Sequence, residues 1–140
     1  MSPHGCCSTL QSCSVHPGGS SAIGRLGTTP VVLLPGPPLA AFIAADLFAC
    51  RVLRILGGRS GDWPYPVRTG VLTRKIASRL GRLEICRVRV DGSDVEPIAV
   101  ADGTTLATAV RADGFVPVPL NSEGFAAGAT VTVRLYHPIP

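Results

Sequence analysis

The hydrophobic period of this chain changes once, and that change limits what the chain can fold into. Before it, Pro30–Leu34 is a short, uninterrupted apolar run, followed by the turn Pro35-Gly36-Pro37-Pro38. A run of this kind predicts a strand buried on both faces of a parallel sheet. A helical pattern follows, with Leu39, Phe42, Ile43, Leu47, Cys50 and Leu53 or Arg54 at i, i+3, i+4 spacing. Ala40, Ala41, Ala44, Ala45 and Ala49 make its first half apolar nearly all round, so the pattern predicts a well-covered helix. Pro38 suits its first turn, Arg51 and Arg54 suit the negative end of its dipole, and Gly57-Gly58 stop it near Leu56.

Arg59–Pro66 (RSGDWPYP) has the composition of a linker, and after it the pattern becomes strand-like. Val67–Ile76 reads as a bent strand or strand pair, and Leu83–Val90 as a strand with imperfect alternation. Asp91-Gly92 is a tight-turn signal before Val95–Val100. Thr105–Ala112 suits one or two helical turns. Phe115–Pro119 and Thr130–Tyr136 read as the last strands, joined by the loop Asn121–Gly128. Several short strands in so little chain predict a small barrel or sandwich. Upstream, residues 1–14 show no period and read as a disordered leader; residues 15–29 read as a Gly/Ser-rich loop with a short apolar interruption.

The 140 residues are 46% hydrophobic and only 16% charged, which excludes a chain disordered as a whole. Charge is uneven. Arg68, Arg74, Lys75, Arg79, Arg82, Arg87 and Arg89 face a single acid, Glu84, within one stretch. A local field of that sign suits an anionic ligand, although outward-facing cations also keep strands soluble. Prolines, Asp46, Arg51 and Arg54 break residues 31–56 too often for a membrane span. The five cysteines are odd in number, and the first 25 residues lack the apolar core of a signal peptide, which predicts reduced thiols in the cytoplasm. Cys6, Cys7 and Cys13 with His4 and His16 do not have zinc-ligand spacing. No Ser/His/Asp or Cys/His set is supported, so catalytic residues stay unassigned.

The chain resembles the molybdopterin molybdenumtransferases of the MoeA/gephyrin type. The strand, the Leu34-Pro35-Gly36-Pro37-Pro38 turn and the helix ending in Gly-Gly are similar to that family's Leu-Pro-Gly-Asn-Pro element. His16-Pro17-Gly18-Gly19 and Ile23-Gly24-Arg25-Leu26 resemble its Lys-Pro-Gly-Lys-Pro stretch and continuation. Gly81-Arg82-Leu83-Glu84-Ile85-Cys86-Arg87, Asp102-Gly103-Thr104-Thr105-Leu106 and Ala112-Asp113-Gly114-Phe115 with Gly128 and Val131 resemble the motifs that follow. The five motifs occur in order over residues 15–140.

The resemblance implies an α+β chain: residues 15–62 as the remnant of a three-layer α/β domain and 63–140 as a small C-terminal β-barrel. It further implies molybdenum cofactor biosynthesis, with molybdate inserted into adenylylated molybdopterin (molybdopterin-AMP) with the help of Mg2+, in a homodimer or with a partner subunit that supplies the missing domains. Arg87 and Thr104 are the implied ligand contacts, with Pro35, Gly36 and Pro38 at the helix start; no metal ligand is implied in this chain. The family's two lysines fall on His16 and Gly19, its loop Asn falls on Pro37, and its acidic residues lie upstream, so the chain reads as truncated and inactive alone. Two other readings are a structural dimerisation module and a basic nucleic-acid-binding barrel. The second is disfavoured because no aromatic platform lies between Tyr65 and Phe115.

Overall fold

The computed structural model describes residues 9–98 and 106–137. These form two compact units. Residues 9–13 and Gly18–Trp63 make the first; Ser14–Pro17 and the chain from Pro64 onward make the second. The strands of the amino-terminal part are β1 (Thr9–Ser12), β2 (Val15–His16), β3 (Ala22–Leu26) and β4 (Thr29–Leu33). Of these, β1, β3 and β4 belong to the first unit, and β2 is given to the second.

In the first unit the sheet order is β1-β3-β4, antiparallel throughout. This corrects three expectations. Thr9–Ser12 are a strand, where a leader without structure was expected, because β3 offers them a pairing edge; residues 1–8 lie outside the described part. The loop at 15–29 contains β2 and β3. The apolar run is not buried in a parallel sheet either: β4 pairs with β3 through a two-residue hairpin, with Leu26 opposite Thr29. Gly27 at φ 62° gives the backbone twist that such a tight hairpin requires. Val31 and Val32 are half-buried, while Leu33 and Leu34 are exposed.

The helix starts at Pro38 and ends at Leu56, as its pattern predicts. It is built as α1 (Pro38–Ala44), a π turn over Ala45–Ala49, and α2 (Cys50–Leu56). Its buried stripe is Leu39, Ala40, Ile43, Ala44 and Leu47. Phe42 is 69% exposed and Leu53 66%, so the helix is covered on one side only and the stripe is narrower than its composition suggests. The segment after Gly58 folds back on the helix end: Arg51 Nε donates to the Gly61 carbonyl at 2.6 Å and Arg54 Nε to that of Ser60 at 3.0 Å. Among the described residues no helix is long and apolar enough to cross a membrane.

The second unit adds β5 (Val67–Leu72), β6 (Ile76–Ala77), β7 (Leu83–Asp91), β8 (Asp94–Pro97), the short α3 (Leu106–Val110), β9 (Gly114–Val118), β10 (Gly124–Phe125) and β11 (Thr130–Leu135). Five strands close on themselves in the cyclic order β7-β8-β5-β11-β9, with β9 pairing back to β7. Closure leaves no long edge to template wrong pairing. Inside lie Leu72, Ile76, Val88, Val95, Val116, Val118, Val131, Val133 and Leu135. Gly114 sits where β9 meets β11, and a Cβ there would collide with the Arg134 carbonyl. The loop after β9 contains β10, which pairs with β6 beside the barrel. At the other side β2 adds to β7 in parallel, with His16 in register with Glu84.

Candidate anion-binding site

β7 supplies the site because its side chains alternate between two environments. Cys86, Val88 and Val90 pack against the barrel core. Arg87 points the other way, opposite Phe115 on β9. There Phe115, Tyr65 and Tyr136 form an aromatic cluster with ring centroids 5.5–5.8 Å apart. The Arg87 side chain is only 1% exposed, and its Nε and Nη1 have no hydrogen-bond partner. Burial lowers its pKa, partly offset by Tyr136 and Cys86. A guanidinium starts so high that it keeps its charge. A buried charge without an acceptor is costly, and an anion that supplied acceptors would relieve that cost.

Arg87 lines a pocket of about 360 Å³ shared with His16, Pro17, Lys75, Arg82, Glu84 and Cys86. Its one carboxylate is already engaged: Glu84 lies 2.8 Å from Arg82 Nη2 and 2.7 Å from His16 Nδ1. Lys75, Arg82 and Arg87 therefore outnumber it, and the pocket is positive. The Cys86 thiol is pushed up to about 11, first by burial and then by Glu84, against the pull of Arg87. It stays protonated and neutral at physiological pH, so it neither repels an anion nor acts as a thiolate nucleophile.

A larger groove of about 780 Å³ is lined by Arg74 and Arg89 but also by Asp91, Asp94, Glu96 and Asp113. Arg74 is held by Glu96 at 3.1 Å, and Asp113 accepts the Val90 amide at 2.8 Å. Acids exceed cations there, the wrong sign for an anion.

The other residues singled out from sequence are placed differently. Thr104 lies outside the described residues. Pro35, Gly36 and Pro38 belong to the first unit, with Pro35 buried and the other two exposed. Pro37 and Pro38 bring no N–H to the helix start, so the turn has little to offer an anion. Sequence reasoning did not gather His16, Lys75, Arg82 and Glu84 around Arg87. The basic run pointed to the region, but only the pairing of β2 with β7 brings His16 there. The donor set does not suit magnesium, which takes several oxygen ligands: its single carboxylate is held by two side chains among cations. Among the described residues no group of three His, Cys, Asp or Glu is arranged to hold a metal.

The barrel is of a known kind: residues 69–136 match the model of the MoeA C-terminal region (domain IV). A molybdopterin biosynthesis protein of Methanocaldococcus jannaschii is 31% identical over 122 residues, covering 87% of this chain and 28% of that protein. Molybdopterin molybdenumtransferase 2 of Mycobacterium tuberculosis is 29% identical over 123 residues, covering 86% of this chain and 30% of the relative. A crystal structure of the molybdopterin biosynthesis MoeA protein from Pyrococcus horikoshii shares the fold, with a TM-score of 0.79 over 92% of this chain and 32% of that one, at 22% identity. The chain belongs to the MoeA family of molybdenum cofactor biosynthesis proteins and spans about 30% of the length of these relatives.

Proposed function

We propose that the pocket around Arg87 holds an anionic group of the molybdenum-cofactor substrate, either the phosphate of adenylylated molybdopterin or molybdate itself. The observation that carries this reading is the buried guanidinium of Arg87, whose Nε and Nη1 have no hydrogen-bond partner, in a positive pocket. An arginine fork suits a tetrahedral oxyanion, and Lys75 and Arg82 add charge around it. In this reading Thr104 is a second contact, and Pro35, Gly36 and Pro38 stay proposed substrate contacts on the resemblance alone.

The chain's part is binding, and the insertion chemistry needs more than this chain holds. Balancing phosphate and molybdate charge in the transition state takes a metal and fixed cations, while the pocket does not suit magnesium, and the positions that resemble the family's two lysines are His16 and Gly19. The exposed apolar side of the helix, with Phe42, Leu53 and Leu56, is then the surface toward a second copy or a partner subunit. Residues 15–62 and 63–140 act as two domains, and the protein works in the cytoplasm.

The test is calorimetric titration of the full chain with adenylylated molybdopterin. Arg87→Ala should weaken binding by about 1.5–3 kcal/mol, the weight of a charge-assisted hydrogen bond. Equal affinity in the two proteins would remove Arg87 from the site. In a parallel assay with molybdate and magnesium, the isolated chain should release no AMP above background; turnover like that of a full-length relative overturns the binding-only part.

A further inference from the structure

We infer that the free edge of β4 is a dimerisation surface, at which two copies of this chain pair antiparallel with Val32 opposite the partner's Val32. The inference stands apart from the Arg87 pocket and needs no ligand. In the sheet order β1-β3-β4, β4 has one neighbour, and its other side is an edge. From Thr29 to Leu34 it carries no charge, and beyond Thr29 no polar side chain. A strand apolar on both faces has the pattern of one covered by neighbours, not of one that borders water. Yet Leu33 is 47% exposed and Leu34 46%. The opposite edge, β1, has a single large apolar residue, Leu10, among Thr9, Gln11 and Ser12, and suits a border with water. Edges that stay single are guarded by charges, bulges or prolines. Pro30 is the one guard on β4, and its place decides what the edge offers.

The two-residue hairpin makes Leu26 and Thr29 a hydrogen-bonded pair, and Gly24 and Val31 are the next one along the ladder. Pro30 falls between them, where a residue's amide faces away from β3, so its missing N–H costs the hairpin nothing. Val32 and Leu34 share that outward side. Among the described residues no backbone bond outside the β3 ladder engages their amides. The edge therefore offers acceptors at Pro30 and Val32 and donors at Val32 and Leu34. This set is complementary to itself. About a two-fold axis at Val32, each Val32 N–H meets the partner's Val32 carbonyl, and each Leu34 N–H meets the partner's Pro30 carbonyl. The absent Pro30 donor is the only gap in the ladder. Like charges do not meet at the axis, because the nearest cation of the sheet, Arg25, lies one strand away on β3, opposite Pro30. A standard interface takes about 800 Å² from each partner, and one short strand with Val31, Leu33 and Leu34 buries less. The dimer therefore belongs to the weak class, with a dissociation constant on the order of 10–100 μM.

The test is sedimentation equilibrium of the full chain at concentrations from about 1 to about 500 μM, which bracket that constant. The mass should rise from 14.5 kDa toward twice that value. Val32→Pro removes the central donor in the way Pro30 already does one outward position earlier, and should weaken association at least roughly tenfold with the circular dichroism unchanged. Leu33→Lys sets a charge beside the axis and should act likewise, which keeps the test open if Val32→Pro does not fold. A wild type that stays monomeric at the highest concentration overturns the inference. So does a folded variant of either kind that associates as tightly as wild type. Hydrogen exchange of the wild-type chain needs no variant: the Leu34 amide should exchange more slowly as concentration rises. Dimerisation with an unchanged Leu34 rate places the interface elsewhere, such as the open side of the helix, and refutes the β4 pairing. A chain that stays monomeric alone, and protects Leu34 only when a full-length relative is added, gives the edge to another polypeptide's strand and excludes the second copy. None of these outcomes bears on the Arg87 pocket, which is tested by binding of its anion.

Discussion

The two units bury their apolar residues to different degrees. In the barrel, Val88, Val95, Val118 and Val133 have no exposed surface, and the strands that carry them close into a ring. In the first unit, Leu26, Leu33, Phe42, Leu53, Ile55 and Leu56 all remain exposed, although the helix and sheet that carry them are well formed. A ring of strands satisfies its backbone and its core in one piece of chain. One helix and an open three-stranded sheet leave apolar sides that need another layer. The contrast teaches that secondary structure is locally determined in both units, while completeness of the core is not.

The largest effect to test this with is a matched pair of leucines. Leu72, 2% exposed on β5, faces the barrel core, and Leu53 is on the open side of the helix. Leu72→Ala should lower unfolding stability by about 2–4 kcal/mol, while Leu53→Ala should change it by less than about 0.5 kcal/mol. Urea unfolding followed by circular dichroism reads both. Equal losses would mean that Leu53 is covered in solution, and the comparison would fail.

Much of this fold was legible from the chain alone. Val131, Val133 and Leu135 alternate cleanly and are all buried in β11, and Asp91-Gly92 turns β7 into β8 as expected. The helix ends fell where Pro38 and Gly57-Gly58 put them. What failed were pairings and faces. β10 is too short to show a period and Ala22–Leu26 of β3 do not alternate, and both strands exist because β6 and β4 give them partners. Phe42 satisfied the helical spacing but lies off the buried stripe, because composition does not say which side of an alanine-rich helix is covered. Of the residues that line the pocket, only Arg87 had been singled out from the sequence as a ligand contact. His16 and Glu84 are 68 positions apart, and only a parallel pairing that no local pattern announces brings them together.

A second contrast lies in the thiols. Cys50 in the first unit is exposed, while Cys86 in the second has its pKa raised from 9.0 to about 11 by burial and then by Glu84. The unfolded thiol therefore loses its proton first as pH rises. The contribution of Cys86 is intact below about pH 9 and is lost progressively up to about 11, by roughly 3 kcal/mol in all. Unfolding at pH 7 and pH 10.5 in wild type and Cys86→Ala isolates this loss, which the alanine protein should lack. At pH 8, a disulfide reagent should label Cys50 well before Cys86; the reverse order would place Cys86 in a looser barrel than the one described.

Arg87 sharpens the comparison from the side of function. The barrel tolerates a guanidinium whose Nε and Nη1 are buried without a hydrogen-bond partner, which a unit selected for stability alone would not hold. Arg87→Met keeps the apolar stem and removes the charge, so it should raise stability by about 1 kcal/mol, as replacement of buried charges often does. The same variant should lose anion binding. Stability that falls instead would show that the guanidinium is satisfied within the fold and needs no ligand.

The smallest expected effect concerns the junction. Arg59–Pro66 is exposed over most of its length, although Arg51 and Arg54 hold Ser60 and Gly61 to the helix end. A low-specificity protease should therefore cut within this segment before it enters β7. The carboxy-terminal product retains every strand of the ring and the Leu135 amide bond to the Pro66 carbonyl, provided the cut falls before Pro66. It loses only β2, whose Val15 and His16 pair with Leu83 and Glu84 at one end of β7. Those edge groups regain water when β2 leaves, so the barrel should remain folded and lose about 1 kcal/mol or less. First cleavage inside Leu83–Asp91, or a fragment that unfolds on release, would show that the barrel depends on the first unit and that the two are not separable.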